Sequence, residues 1–207
     1  MRLFLQGFFL ALLPFLCGSA NAEEWKNLGS TRGVTIAERK DGRTGYSEYL
    51  ASGSIDAPVG VVKRILEDIE SAKDYMPYVS EVEILARSNG RTFFYQRIKP
   101  PFVTDRDYTL SLVTTSFETR YGTGYRLSWN TANEMGPSKK ESVVRVELNK
   151  GYWQLTPSKD RSKTELTYRV LTDIGQNIPA FIVQKGNRIA LPKIIEAVRD
   201  RAAKFKN

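Results

Sequence analysis

An α+β fold is predicted, a strongly curved antiparallel sheet of about nine strands closed by one long C-terminal helix, and three observations predict it. Residues 81–172 alternate apolar and polar side chains in short runs separated by turn residues, with no helical pattern between them. From Pro179 onward Phe181, Ile182, Ile189, Ile194, Ile195, Val198 and Ala202 recur at roughly helical spacing. Between an apolar leader and the C-terminus lie about 185 residues, enough for one sizeable core and few for two. Strands followed by one helix pack as two layers, and the helix closes either a solid core or a cavity.

Residues 1–22 read as an export leader. Arg2 precedes an apolar run from Leu3 to Cys17, short for a bilayer span, and Ala20-Asn21-Ala22 has the small-x-small form of a signal-peptidase site. The mature domain is expected to be residues 23–207, secreted and periplasmic; an uncleaved anchor is the other reading of the run. Pro14-Phe15-Leu16 lacks the small residue wanted ahead of a lipidated cysteine, so Cys17 does not mark a lipoprotein.

Cys17 is the only cysteine, and there is no histidine. The mature chain therefore excludes His/Cys metal sites, Ser-His-Asp triads, cysteine nucleophiles and disulfides. No metal and no cofactor is expected. Enzymatic function is disfavoured because the commonest general base at neutral pH is missing, although Asp, Glu, Lys, Tyr and Ser remain. Net charge is +8, and Arg2 is the leader's one charged side chain, which leaves +7. That balance suits a solvated basic face or contact with anionic headgroups; for a secreted protein, nucleic acid is the least suited partner.

In order, residues 23–27 are expected as a short helical lead-in anchored by Trp25. Val34 with Ile36, and then 46–55, alternate as two strands across the Asp41-Gly42 turn signal. Asp56 is a candidate cap and Pro58 suits a first turn, followed by the helical stripe Val59, Val62, Ile65, Leu66 and Ile69. Residues 71–75 offer another helical turn. Strands are expected at 81–86, 92–99, 107–115, 125–131, 143–148, 152–156 and 164–172. Asn89-Gly90, Pro100-Pro101, Gly136-Pro137 and Gly151 are among the turn signals between them. Gly175 and Ile178-Pro179 break the last strand into a loop, and Pro192 predicts a kink or short break in the final helix.

The concave face is offered Phe94 or Tyr95, according to register, with Tyr108, Leu110, Tyr125, Leu127, Trp129, Trp153, Tyr168 and Val170. Rings with polar tips suit a pocket for a large apolar ligand carrying one polar group, and they also fill solid cores. If Tyr108, Leu110 and Leu112 face inward, alternation turns Arg106 inward too. A buried guanidinium needs pairing, which Asp105, Asp107 or a ligand oxygen can supply.

The run Pro100-Pro101-Phe102-Val103-Thr104-Asp105-Arg106-Asp107-Tyr108 resembles the proline turn and R-D-[YF] of the START family, the steroidogenic-acute-regulatory-related lipid-transfer domains. Gly151-Tyr152-Trp153-Gln154-Leu155-Thr156-Pro157, Thr164-Glu165-Leu166-Thr167-Tyr168, Gly175 and Ile178-Pro179-Ala180-Phe181-Ile182 are similar to its last strands and terminal helix. The resemblance spans residues 25–205 in matching order. It implies a helix-grip fold, with a sheet wrapped around the C-terminal helix and a tunnel for one lipid between them. It also implies ligand contacts from Arg106, Tyr95, Gln96, Tyr108, Ile178, Phe181, Ile182 and the concave-face residues above. The family's acidic partner for the arginine is missing from 92–99, where Gln96 is the neutral substitute. Loops 133–140 and 173–179 match the mobile loops at the tunnel mouth.

The expected function is a secreted, monomeric lipid carrier that touches membranes transiently, guided by Lys185, Arg188, Lys193 and Arg199. A helix-grip cyclase or aromatase and a ligand-free interaction module are the alternatives.

Overall fold

Period-two alternation becomes one sheet because each short apolar stripe pairs with a neighbouring stripe on the same concave side. The computed structural model describes residues 24–101, 103–175 and 178–205; the expected leader and its cleavage site lie outside the described residues. The strands are β1 (Lys26–Thr31), β2 (Val34–Lys40), β3 (Ser47–Ile55), β4 (Val79–Ser88), β5 (Arg91–Ile98), β6 (Arg106–Thr119), β7 (Gly122–Thr131), β8 (Val144–Arg145), β9 (Asn149–Pro157) and β10 (Thr164–Thr172). Helices α1 (Val59–Glu67) and α2 (Ala72–Tyr75) link β3 to β4, and α3 (Ala180–Ala203) closes the chain. Nine strands follow the order β1-β2-β3-β10-β9-β7-β6-β5-β4 with antiparallel neighbours, and β8 pairs with β6 in parallel. This is the helix-grip arrangement the sequence predicts.

Four local expectations are corrected. The lead-in at 23–27 gives way to strand β1 from Lys26, because Arg32 and Gly33, at φ 52° and 66°, fold β1 back onto β2. Trp25 lies against the Arg39 guanidinium, 4.6 Å from its ring centre. The strand expected at 143–148 shrinks to Val144–Arg145: β7 ends its pairing opposite Leu110, and β8 takes up the length of β6 left open at Arg106 and Asp107. The N-cap position of α1 falls at Pro58 and not at Asp56, whose carboxylate lies 2.8 Å from Lys163 Nζ. Of the kink or short break expected at Pro192, the break is absent, and α3 continues through that residue.

The two halves of α3 are held differently. Leu191, Ile195, Val198 and Ala202 are buried in the core. Arg199 locks this half by donating to the carbonyls of Ser54 (2.9 Å), Arg32 (2.7 Å) and Gly33 (3.0 Å). In the first half the expected apolar stripe is turned outward, with Phe181 70% exposed, Ile182 45% and Ile189 49%. Gln184 and Asn187 take the sheetward positions, where they bond Glu38 and Tyr49.

Packing is densest where α1 meets β7 and β9 and where the second half of α3 lies against α1 and β3. Val62, Leu127, Leu155, Ile195 and Val198 have no accessible surface there. Gly151 marks a close approach between strands. A Cβ on it would stand 2.1 Å from the Arg169 carbonyl and 2.6 Å from the Trp129 ring. Gly151→Ala is expected to destabilise by about 1–3 kcal/mol through overpacking, read as a lower urea midpoint with an unchanged slope.

Candidate functional site

Register decides which side chains share the concave face. The β5–β6 pairs Ile98–Arg106, Gln96–Tyr108, Phe94–Leu110 and Thr92–Leu112 set one row along it. Phe94 and not Tyr95 therefore belongs to the interior. Tyr95 is buried on the opposite face, where its hydroxyl donates to Asp107 at 3.2 Å, and burial beside that carboxylate pushes its pKa up to about 12. Tyr95 is thus corrected from ligand contact to outer-face support.

Beyond this row the strands bring Trp129, Trp153, Tyr168 and Val170 together. Trp129 stacks on Tyr168 with ring centres 5.6 Å apart, and Trp153 tilts against Tyr168 at 4.3 Å. The Trp129 indole N–H is satisfied by Asn149 Oδ1 at 3.0 Å. Tyr108 donates to Gln96 Oε1 at 3.0 Å, so Gln96 serves a phenol instead of Arg106. Burial pushes the Tyr108 and Tyr168 phenols well up, which keeps both as neutral hydrogen-bonding groups. Leu127 and Tyr125 lie at the densely packed end, with Lys63 Nζ 5.3 Å above the Tyr125 ring. Ile178 is half-buried at the start of α3, while the exposed Phe181 and Ile182 do not join the interior group.

Arg106 is the unusual member. It is 2% exposed, as the alternation predicts, yet neither neighbouring aspartate reaches it. Residues one step away on a strand project from the opposite face, so Asp105 pairs with Arg97 at 2.7 Å and Asp107 with Arg145 at 2.7 Å. Arg106 Nε donates to the Ile174 carbonyl at 3.1 Å, and Nη1 donates to the Thr104 carbonyl. Nη2 is buried with no hydrogen-bond partner among the described residues. Burial alone lowers its pKa, as expected where no carboxylate compensates the charge.

The bond to Ile174 ties the β10–α3 loop to the start of β6. Gly175, at φ 64°, brings this loop within 2.6 Å of Val144 Cγ1 as measured from a Cβ placed on it, so a larger residue does not fit. On the outer face, Arg145 binds both oxygens of Asp107 and donates to the Pro137 carbonyl at 3.0 Å. Asn133 accepts from the Thr109 N–H at 2.9 Å and donates to the Val146 carbonyl at 2.9 Å. The segment after β7 is pinned against β6 in this way. These partners lie far apart in sequence, and no local pattern announces them.

The chain belongs to the family described as polyketide cyclase / dehydrase and lipid transport, which matches residues 55–199. It is 23% identical over 186 residues to the phosphatidylcholine transfer protein of Homo sapiens, covering 88% of this chain and 84% of that one. Its fold is that of human StAR-related lipid transfer protein 5, with TM-score 0.77 and 15% identity over 91% of this chain and 90% of that one. A STAR-related lipid transfer protein from Xanthomonas axonopodis superposes with TM-score 0.74 and 19% identity, over 86% of this chain and 98% of that fragment.

Two outcomes follow from the site's supports. Arg145→Met strands the Asp107 carboxylate and is expected to cost about 3–5 kcal/mol in chemical denaturation, most of it recovered by adding Asp107→Leu. Burial of Glu38 is outweighed by hydrogen bonds from Ser47, Gln184 and Tyr49 and by the charge of Lys26, so its pKa lies below the ordinary value. That carboxylate's contribution is present above the unfolded value and is lost as pH falls through the lower folded one. Stability should therefore decline more steeply from about pH 5 to pH 3 in the wild type than in Glu38→Gln.

Proposed function

We propose that this chain is an exported carrier that withdraws one amphipathic lipid from a membrane, shields it between the sheet and α3, and releases it elsewhere. Arg106 carries the reading: a buried guanidinium with an open N–H and no carboxylate partner among the described residues is suited to a ligand that brings its own anion. A phospholipid phosphate meets that requirement; a sterol hydroxyl supplies no charge.

Looseness of the concave face supports room for the chain. Phe94, Tyr108, Leu110, Leu112, Trp129, Trp153 and Val170 each keep 5–9% of their surface accessible, against none for residues at the dense end. Tyr168 is half-buried against Trp129 and Trp153. Burying an acyl chain there contributes roughly 25 cal/mol per Å² of apolar surface, enough to offset ordering of the ligand.

Entry is assigned to the Arg106 end. Its covering loop is held by the Ile174 carbonyl bond and by Tyr46 donating to Asp173 at 2.7 Å, and the first half of α3 presents Phe181, Ile182, Ile189 and Lys185 outward. Such a surface suits transient contact with an anionic membrane by a monomer. Export rests on residues 1–22 alone. The family's description also covers cyclases, but the row from Arg106 to Leu112 with its β5 partners offers cationic and phenolic donors and no carboxylate base, which favours carriage over turnover.

The test is uptake of acyl-labelled phosphatidylglycerol and of a fluorescent sterol from vesicles. The wild type is expected to take up the phospholipid, and Arg106→Met to lose uptake about tenfold or more with its fold retained by circular dichroism. No phospholipid uptake by the wild type, or full uptake by Arg106→Met, contradicts the assignment.

A further inference from the structure

Midway along β6, on the side of Leu112 away from Arg106, lies a groove of about 460 Å³ between α1, the β4–β5 hairpin and β6. Glu67, Ile69, Arg91, Thr92, Leu112 and Thr114 are among its walls. Leu112 belongs both to this groove and to the apolar core. Thr92 and Leu112 are the last of the four concave-face pairs that begin with Ile98 and Arg106, so the groove continues the same row. Six residues of strand separate Arg106 from Leu112, about 20 Å at the usual rise. The residual accessibility of Phe94, Leu110 and Leu112 persists along that length, and it vanishes at the neighbouring dense end under α1 and α3. The groove's polar rim is already organised: Glu67 accepts from Thr114 at 2.8 Å and from Lys63 at 2.6 Å, and Arg91 donates to Ser111 at 3.3 Å.

We infer that this groove is the second end of the ligand channel, and that Leu112 with Thr92 forms the constriction that selects chain length. This rests on the carrier reading. A chain whose headgroup lies at Arg106 runs past Phe94 and Leu110 and reaches Leu112 at the limit of the enclosed row; a longer chain passes between Leu112 and Thr92 into the groove. The side chain at position 112 then separates long chains from short ones without touching the headgroup. Water displaced from the row by an entering chain leaves through the same polar opening.

The experiment is native mass spectrometry of the full chain with a series of lysophosphatidylglycerols from twelve to eighteen carbons, for the wild type, Leu112→Trp and Thr92→Trp. Thr92 is only half-buried, so its variant remains informative if Leu112→Trp does not fold. The wild type is expected to retain the whole series. The tryptophan variants are expected to retain the twelve-carbon chain and to lose the eighteen-carbon chain about tenfold or more. Equal loss at every length, or an unchanged profile in both variants, overturns the channel inference and leaves the carrier reading intact. A wild type that binds none of the series overturns both.

Discussion

A guanidinium enclosed by protein must keep hydrogen-bond acceptors around it, and among the described residues Arg106 has neutral main-chain carbonyls for this purpose and no carboxylate. Much of the surrounding structure serves that one group. Its place at the head of β6 fixes the register in which Tyr108, Leu110 and Leu112 face inward. The same alternation sends Asp105 and Asp107 to the other side, where Arg97 and Arg145 neutralise them. One acceptor, the Ile174 carbonyl, belongs to the loop that leads into α3. Releasing that loop removes an acceptor from a buried charge, so under the proposed function loop opening and ligand contact would be coupled through a single side chain.

The remaining architecture separates rigidity from access. Where α1 meets β7 and β9, and the second half of α3 lies against α1 and β3, side chains leave no accessible surface, and Arg199 clamps the helix to three carbonyls. The first half of α3 meets the sheet through Gln184, Asn187 and Arg188 and turns Phe181 and Ile182 outward. Polar contacts of this kind exchange with water at modest net cost, whereas a dense apolar contact does not. A helix anchored at one end and held by exchangeable bonds at the other is suited to admit a lipid without unfolding the domain.

Much of this was legible in the sequence because it depends on local periodicity. Alternation places Arg106, Tyr108 and Leu110 on one face, and the turn residues locate most strand ends. The choice between Phe94 and Tyr95 was not legible, since it depends on the pairing of β5 with β6. Neither was the outward turn of Phe181 and Ile182, because Glu38, 146 residues from Gln184, draws a polar side chain to the sheetward position. The aspartates beside Arg106 were candidate partners by proximity in the chain; the strand's two faces separate them from it. Residues 143–148 carry a strand-like pattern, but only two of them find an open length of β6. In each case a long-range partner overrides a correct local pattern.

Under the proposed function, Arg106 awaits an anion supplied by a lipid. The most direct measurement is to purify the protein gently from its own host, weigh it intact under native conditions and identify what solvent extracts from it. One stoichiometric amphiphile with a phosphate or other anionic headgroup is the result predicted. A stoichiometric neutral sterol, or a protein that is empty and stays empty when offered anionic phospholipid, would contradict it.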